Sequence, residues 1–281
     1  SLMSLKFVEK ILEEINKFFK LSSNLEISFE INPGAMNLGY LRSLRNLGVN
    51  RISCGVQSFN LFALRIMGRT HSVKDIFTTI NFVEKTFENY NLDLLALYPY
   101  QDVQSLKEDL QEILNINPPH VSYYLMDIDK GVNYSYSMIE KIKANYELAD
   151  VYYSTIKSYL ERKYVHYEIS NFARDNYYCR HNLKYWYYFD YIGIGPSAVS
   201  KITLKDDVYR LKILPNVIME IEKVEKNKQQ MERLMLALRT KWGIIVNFQN
   251  SKKYLKIRDF ENYNSKIFKY FEKVNFSIFK T

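Results

Sequence analysis

The sequence predicts an α/β protein built around a parallel sheet, and three observations support this fold class. In residues 4–126, short apolar segments alternate four times with amphipathic segments of helical period. Short polar loops separate these segments, which is typical of consecutive βαβ units in an open sheet or a barrel. The apolar segment at residues 51–55 leads directly into Gln57 and Ser58, and parallel α/β proteins bind ligands at such strand ends.

Each element of this first region has its own local signal. Residues 4–20 have the apolar spacing of a helix that Ser4 caps, and residues 38–47 form a second helix that Gly48 ends. Helical segments in residues 60–88 are interrupted at residues 68–70, and Ser72 caps the later one. The remaining predictions are strands at residues 25–31, 51–55, 91–97 and 120–126, and a helix at residues 106–114.

The second half of the chain predicts a change of architecture. Residues 139–162 form one long helix in this interpretation, and strands follow at residues 164–169 and 191–194. Beyond about residue 203 we expect helices, of which residues 231–239 are the clearest. We therefore expect a first domain over residues 1–203 and a small, mainly helical C-terminal domain over residues 204–281.

Composition points to an ordinary globular protein. The net charge of +8 could indicate a nucleic-acid partner, but many lysines lie beside acidic residues, as in Glu9-Lys10, so a solvated basic surface is the better explanation. No apolar run approaches the roughly 20 residues that span a bilayer. No signal peptide is evident either. We therefore expect a cytoplasmic protein without a transmembrane segment or a specific nucleic-acid partner.

The chain contains two cysteines, Cys54 and Cys179, and no CxxC pair. They are far apart in the sequence, so a disulfide framework is not expected. We interpret Cys54, which lies inside a predicted core strand, as a small buried hydrophobic residue. No cluster site of the CxxC type can be assembled from this chain alone.

Six sequence segments, in this order, resemble a known family. They are FEINPG at 29–34, NRISCGVQSF at 50–59, GRTHS at 68–72, YEISNFA at 167–173, CRHNLKYW at 179–186 and GIGPSA at 193–198. Together they resemble the radical S-adenosylmethionine (SAM) family that contains the oxygen-independent coproporphyrinogen III oxidases and the related haem chaperones. The YEISNFA and HNxxYW patterns favour the HemW-type haem-chaperone branch.

The resemblance implies a partial (β/α) barrel that binds SAM and a [4Fe–4S] cluster held by a CxxxCxxC loop. Neither this loop nor the family's Gly-Gly-Gly-Thr-Pro turn occurs in the sequence, and residues 1–4 resemble the segment that follows the turn. We therefore expect a partial barrel without its first two βα units, in a fragment of a longer protein or in a decayed copy. We expect this chain alone to hold no cluster.

The resemblance also assigns cofactor-binding roles to polar residues at strand ends. Glu30 would accept hydrogen bonds from the ribose or the amine of SAM, although a solvated acid is the plain alternative. Gln57 would contact the ribose or methionine part, since its amide both donates and accepts. Arg69 would bind the SAM carboxylate, and a surface arginine explains it about as well without the motif.

Three further positions complete the predicted SAM site. Asp93 lies inside an apolar strand, where an unpaired carboxylate is costly, so a functional or paired role is expected. Leu125 and Val199 occupy family positions that pack against adenine, and core packing explains them equally well. The family has glycines where this chain has Leu97 and Tyr100, so the shape of that loop is in doubt.

His181 is the predicted haem ligand, with Cys179 as an alternative thiolate ligand. A structural role, in which residues 181–186 fix a loop, has comparable weight. His71 and His166 are interpreted as structural. The function we expect is that of a HemW-type protein that binds haem and delivers it to receiving proteins. The alternatives are a coproporphyrinogen III oxidase acting on a tetrapyrrole, a cluster-free haem- or SAM-binding protein and, last, a nucleic-acid binder.

Overall fold

The computed structural model describes residues 3–127, 136–214, 219–248 and 251–255. The end of the predicted C-terminal domain, residues 256–281, lies outside the described residues. Packing divides the chain into two compact units. The first comprises Ser1–His166 and Ser170–Tyr178, and the second comprises Tyr167–Ile169 and Cys179–Thr281. This division does not coincide with the boundary predicted near residue 203, which stays a prediction.

The first unit is an α/β structure, as the sequence predicted. Its helices are α1 (Leu5–Phe18), α2 (Leu38–Asn46), α3 (Leu61–Ile66), α4 (Val73–Glu84), α5 (Val103–Ile116), α6 (Tyr136–Tyr146) and α7 (Ala149–Leu160). The strands are β1 (Ser28–Ile31), β2 (Arg51–Gln57), β3 (Tyr90–Ala96), β4 (His120–Leu125) and β6 (Asn171–Ala173). The first two residues of β5 (Val165–Glu168) also belong to this unit, and its last two belong to the second. The order of the strands in the sheet is β1-β2-β3-β4-β6-β5, with β1 to β4 parallel and β6 antiparallel to β4.

Side-chain caps explain where the helices begin. The Ser4 side chain accepts a hydrogen bond from the backbone N–H of Phe7 at the start of α1, as predicted. Ser72 forms a reciprocal capping box with Asp75 at the start of α4. Asp102 caps α5 in the same way. Such caps satisfy backbone N–H groups that have no partner inside the helix.

The strands of the sheet alternate between an apolar face and a polar face. On β2, the side chains of Ile52, Cys54 and Val56 are fully buried. Leu92 and Leu94 continue this apolar layer on β3. The interpretation of Cys54 as a small core residue is confirmed. The polar side chains between them fall on the opposite face because side chains alternate along a strand.

Two predictions in residues 139–194 need correction. The predicted single helix over residues 139–162 consists of α6 and α7, which separate at residues 147–148. The Asn145 side chain near the end of α6 donates to the carbonyl of Tyr98. The predicted strand at residues 191–194 is reduced to one isolated bridge between Tyr191 and Lys201. A strand cannot continue regularly through Gly193 and Gly195, because Gly195 has a φ of 107°.

The second unit contains strands where we expected helices. A three-stranded antiparallel sheet consists of β7 (Val199–Leu204), β8 (Asp207–Ile213) and β9 (Met219–Val224). The other elements are α8 (Arg180–Trp186), α9 (Lys226–Leu238) and the hairpin of β10 (Ile244–Phe248) with β11 (Ser251–Leu255). The mainly helical character expected after residue 203 is therefore wrong for the described part of the chain.

The turn between β7 and β8 explains why this hairpin was missed. Lys205 and Asp206 form the turn, and both have positive φ values, of 46° and 71°. Two-residue hairpin turns of this kind usually contain glycine or asparagine, which adopt positive φ at low cost. A Lys-Asp pair does not give that signal.

Among the described residues, no helix is long and apolar enough to cross a membrane.

Candidate functional site

Three of the residues predicted to bind SAM line one cavity in the first unit. Its volume is about 260 Å³. The lining residues are Glu30, Ile31, Ser53, Gly55, Gln57, Asp93 and Tyr124. They belong to β1, β2, β3 and β4, which run parallel, so the cavity lies towards the carboxyl ends of adjacent strands. The structure thus brings Glu30, Gln57 and Asp93 together, while their function stays a prediction.

Gln57 lies at the end of β2 in a left-handed backbone conformation, with a φ of 69°. The pairing of β2 with β3 shifts register between Cys54 and Gln57. The Gln57 side chain turns back over Gly55, where an added Cβ atom would lie 2.8 Å from Nε2 of Gln57. Since real Cβ atoms do not approach so closely, the absence of a side chain at position 55 is what makes room for Gln57.

Arg69 contacts Asn32, which directly follows the cavity-lining residue Ile31. Its Nη1 atom donates a hydrogen bond of 3.2 Å to Oδ1 of Asn32. The same Asn32 oxygen lies 3.1 Å from the position that a Cβ atom on Gly55 would occupy. Arg69 is partly exposed and is not one of the residues that line the cavity. It is therefore placed beside the cavity, in contact with Asn32.

Asp93 is held by hydroxyl and amide donors from three strands. Ser53 on β2 donates to Oδ2 over 2.8 Å, and Asn91 on β3 donates to Oδ1 over 2.7 Å. Burial raises the pKa of Asp93, and the hydrogen bonds from Ser53, Asn91 and Ser122 oppose this effect. The nearby charge of Glu30 raises the pKa further. The sequence-based expectation that Asp93 is paired or functional agrees with these contacts.

Sequence analysis missed the buried polar group behind Asp93. Oδ1 of Asn91 lies 2.6 Å from Nδ1 of His120 and also accepts from the Ser122 hydroxyl over 3.1 Å. Because the Asn91 amide nitrogen donates to Asp93, its oxygen must accept from His120, which assigns the proton of His120 to Nδ1. Burial lowers the pKa of His120 well below its usual value, so this ring is neutral. One signal for this group is present in the sequence. Two polar residues stand two positions apart on each of two neighbouring strands, Asn91 and Asp93 on β3 and His120 and Ser122 on β4.

The two predicted adenine contacts do not line the cavity. Leu125 is the last residue of β4, and its exposed fraction is 36%. Val199 belongs to the second unit, at the start of β7. Neither side chain is part of a described core, so the core-packing alternative does not explain them. Their contact with a cofactor stays a prediction.

Of the four histidines in the chain, His181 is the one whose side chain is exposed. It lies on α8, where its ring packs edge-on against Tyr185 at 4.9 Å. His71 and His120 are buried. His166 is half-buried and stacks on Phe172 at 4.3 Å. The structure therefore separates His181 from the other three by its access to solvent.

Cys179, the alternative haem ligand, is buried at the start of α8. Its backbone N–H donates to the Tyr167 hydroxyl over 3.2 Å. Aromatic and aliphatic side chains around His181 in the sequence are exposed instead, and they are Tyr185, Tyr187, Phe189, Ile192 and Ile194. The exposed groups of this segment are thus an imidazole and apolar side chains rather than the thiol.

The cysteines do not fit a [4Fe–4S] cluster. Such a cluster needs several thiolate ligands, whereas both cysteines of this chain are buried. Burial raises the pKa of the Cys54 thiol, which disfavours its thiolate form. Within the described ranges, no group of three or more His, Cys, Asp or Glu side chains is arranged to hold a metal ion.

The loop after β3 keeps a left-handed backbone at two residues that are not glycine. Leu97 has a φ of 64° and Tyr100 a φ of 66°, and these are the positions where the resemblance expects glycine. Oε1 of Gln101 accepts from the backbone N–H of Leu97 over 2.6 Å. The Tyr152 hydroxyl on α7 donates to the carbonyl of Gln101 over 2.8 Å. Neighbouring side chains thus hold the conformation that glycine adopts at low cost.

Comparison with known proteins gives consistent matches. The model of the radical SAM superfamily matches residues 2–113. The haem chaperone HemW of Lactococcus lactis is 31% identical over 265 residues, which cover 90% of this chain and 70% of that protein. HemW of Buchnera aphidicola from Schizaphis graminum is 31% identical over 280 residues, which cover 100% and 66%. HemW of Escherichia coli is 32% identical over 207 residues, which cover 73% and 54%.

A solved structure shares the fold of this chain. Coproporphyrinogen III oxidase (HemN) from Escherichia coli, a radical SAM enzyme, has a TM-score of 0.64 and 19% identity. The match covers 85% of this chain and 61% of that one, and it shows a common fold. This chain spans between 54% and 70% of the length of the three HemW proteins. Radical SAM proteins in general use SAM and a [4Fe–4S] cluster. The α/β fold, the motifs and these matches show that the chain belongs to the HemW-type family of radical SAM proteins.

Proposed function

We propose that the first unit binds SAM in the cavity between Glu30, Gln57 and Asp93, as part of a haem chaperone. One observation supports this proposal above the others. Three polar side chains from three adjacent parallel strands converge on a cavity of about 260 Å³. Ligand sites in parallel α/β folds lie at this end of the strands.

The charge of the cavity suits the ligand. SAM carries a sulfonium cation, and the cavity contains the carboxylates of Glu30 and Asp93. A cation between them would relieve the repulsion through which Glu30 raises the pKa of Asp93. Arg69, which lies outside the lining, has the planar fork that binds a carboxylate such as that of the methionine part. Leu125, which belongs to the same unit as the cavity, remains a proposed apolar contact for adenine.

When SAM is bound beside a reduced cluster, it supplies radical chemistry in this family. The residues of this chain provide the proposed SAM cavity and not the cluster ligands. A second candidate is a cluster-free SAM- or haem-binding protein. In both cases we propose a cytoplasmic protein.

SAM binding can be tested by calorimetric titration of the full chain with SAM and with S-adenosylhomocysteine, which lacks the sulfonium charge. Binding of SAM is expected, and Asp93→Asn or Glu30→Gln should weaken it about tenfold while changing the affinity for S-adenosylhomocysteine less. The exposed Glu9→Gln on α1 is the matched control. Absence of SAM binding, or equal behaviour of all three variants, contradicts the proposal.

We also propose that the second unit binds haem through His181 for delivery to receiving proteins. The exposed imidazole belongs to a segment of the chain that also carries exposed apolar side chains, and neutral imidazole is a common haem ligand. Haem titration followed by the Soret band should give a red-shifted, saturable spectrum. His181→Ala should abolish it, whereas Cys179→Ser and His166→Ala should retain it. If His181→Ala retains the spectrum, His181 is not the ligand.

A further inference from the structure

We infer that Asp109 is a positioning residue for the proposed SAM cavity, because its carboxylate fixes the segment that carries Gln57. This inference rests on the proposed function for its consequence in binding. Asp109 lies on α5 and its exposed fraction is 2%. It is not one of the residues that the sequence singled out, and it does not line the cavity.

The contacts run from Asp109 to the two residues that follow Gln57. Oδ2 of Asp109 accepts from the Ser58 hydroxyl over 2.7 Å. Oδ1 accepts from the backbone N–H of Phe59 over 2.8 Å. The Ser58 oxygen in turn accepts from the backbone N–H of Asn60 over 3.1 Å. One carboxylate therefore holds both the side chain and the backbone of the turn between β2 and α3.

This turn needs such a restraint. Gln57 has the left-handed backbone described above, and the backbone N–H of Ser58 donates back to the carbonyl of Val56 over 2.9 Å. A residue with a Cβ atom tends to leave this conformation unless its surroundings prevent it. If Ser58 and Phe59 were released, Gln57 could relax to a negative φ, and its side chain would then leave the space above Gly55.

The support for Asp109 is itself rigid. Leu106, Leu110 and Ile113 on the same helix are fully buried in the core of the first unit. The capping box at Asp102 fixes the start of α5. The carboxylate is therefore held by a packed helix, whereas the segment that it binds is a turn. The packed helix therefore determines the position of the turn and of Gln57, and the turn does not determine the position of the helix.

The decisive variants are Asp109→Ala, which removes both acceptors, and Asp109→Asn. Asparagine can still accept from the Phe59 N–H through its oxygen and donate to the Ser58 hydroxyl. Leu110→Ala is the matched control, because it destabilises the same helix and leaves the carboxylate that binds Ser58 and Phe59 in place. Two readouts are required in the full chain: the NMR signal of the Gln57 side-chain amide, and the affinity for SAM by calorimetry.

Asp109→Ala should shift or broaden the Gln57 amide signal and accelerate hydrogen exchange at Phe59. It should also weaken SAM binding about tenfold relative to Leu110→Ala. Asp109→Asn should restore the signal and stay within about threefold of the wild-type affinity. If the Gln57 signal and the SAM affinity of Asp109→Ala match those of Leu110→Ala, the inference is wrong.

The two readouts keep this inference separate from the proposed function. If the wild-type chain binds no SAM, the proposed function fails, and the Gln57 signal still decides whether Asp109 positions that residue. If the wild-type chain binds SAM and the Gln57 signal does not respond to Asp109→Ala, the inference fails and the proposed function stands.

Discussion

Burial of Asp109 should make the free energy of unfolding depend on pH in a way that Asp109→Asn isolates. Burial raises the pKa of Asp109 from its ordinary 3.8 to about 6, although the bonds from Ser58 and Phe59 oppose the shift. At about 1.4 kcal/mol per pH unit, this rise corresponds to about 3 kcal/mol. In the folded protein at neutral pH, the ionised carboxylate therefore costs about that amount relative to the unfolded chain.

The direction follows from proton binding. The folded state binds the Asp109 proton more tightly than the unfolded state does, so the wild-type protein gains stability as the pH falls through about 6. The gain ends near pH 4, where the unfolded chain is protonated as well. Asp109→Asn lacks the titrating group. Wild-type stability measured relative to that variant should therefore increase by about 2.4 kcal/mol from pH 7.5 to pH 4.

The neighbouring ionisable groups are present in both proteins, so they largely cancel in this difference. Glu108 and Glu112 on α5 raise the pKa of Asp109. Tyr98 and Tyr123 also face it, and burial raises the pKa of each. Urea unfolding followed by circular dichroism at several pH values gives the two stabilities. A difference that is constant with pH, or that decreases towards pH 4, would refute the reasoning.

Substitutions at three further positions test other parts of the structure. Gly55→Ala should weaken SAM binding about threefold by calorimetry, because the added Cβ meets Nε2 of Gln57 at 2.8 Å and displaces the end of that side chain; unchanged affinity would contradict the proposed contact between Gln57 and SAM. Tyr100→Gly should exceed Tyr100→Ala in unfolding free energy by about 1 kcal/mol, because alanine keeps the strained φ of 66°. Lys201→Met should cost about 1–3 kcal/mol, because it removes a buried ammonium that donates to Asp190 over 2.7 Å; equal stability would show that this pair contributes nothing.

The features that the sequence predicted well are those that local chemistry determines. Ser4 and Ser72 cap their helices because a cap needs only a side chain and the next three residues. The sequence pattern placed Glu30 and Gln57 at strand ends, whereas Asp93, at the middle of β3, was singled out by the resemblance and by the cost of an unpaired carboxylate. The structure brings the three side chains to one cavity because β1, β2 and β3 are adjacent and parallel.

The features that sequence reasoning missed depend on contacts distant in the chain. Asp109 bonds to Ser58 across 51 positions, and a helical acid gives no sign of such a partner. His120 bonds to Asn91 across 29 positions, and the contact depends on strand register. The hairpin turn at Lys205 and Asp206 adopts positive φ without the usual residues. In each case the contact or the backbone conformation is determined by the tertiary structure and not by the local sequence.

The loop from Leu97 to Gln101 has a consequence for how the first unit responds to change at a distance. Its left-handed residues depend on bonds from Asn145 on α6 and Tyr152 on α7. A substitution that loosens either helix should therefore reach this loop before it reaches the strands, because glycine is not there to absorb the change. Where glycine alone would allow this backbone conformation, in this chain hydrogen bonds from two helices maintain it.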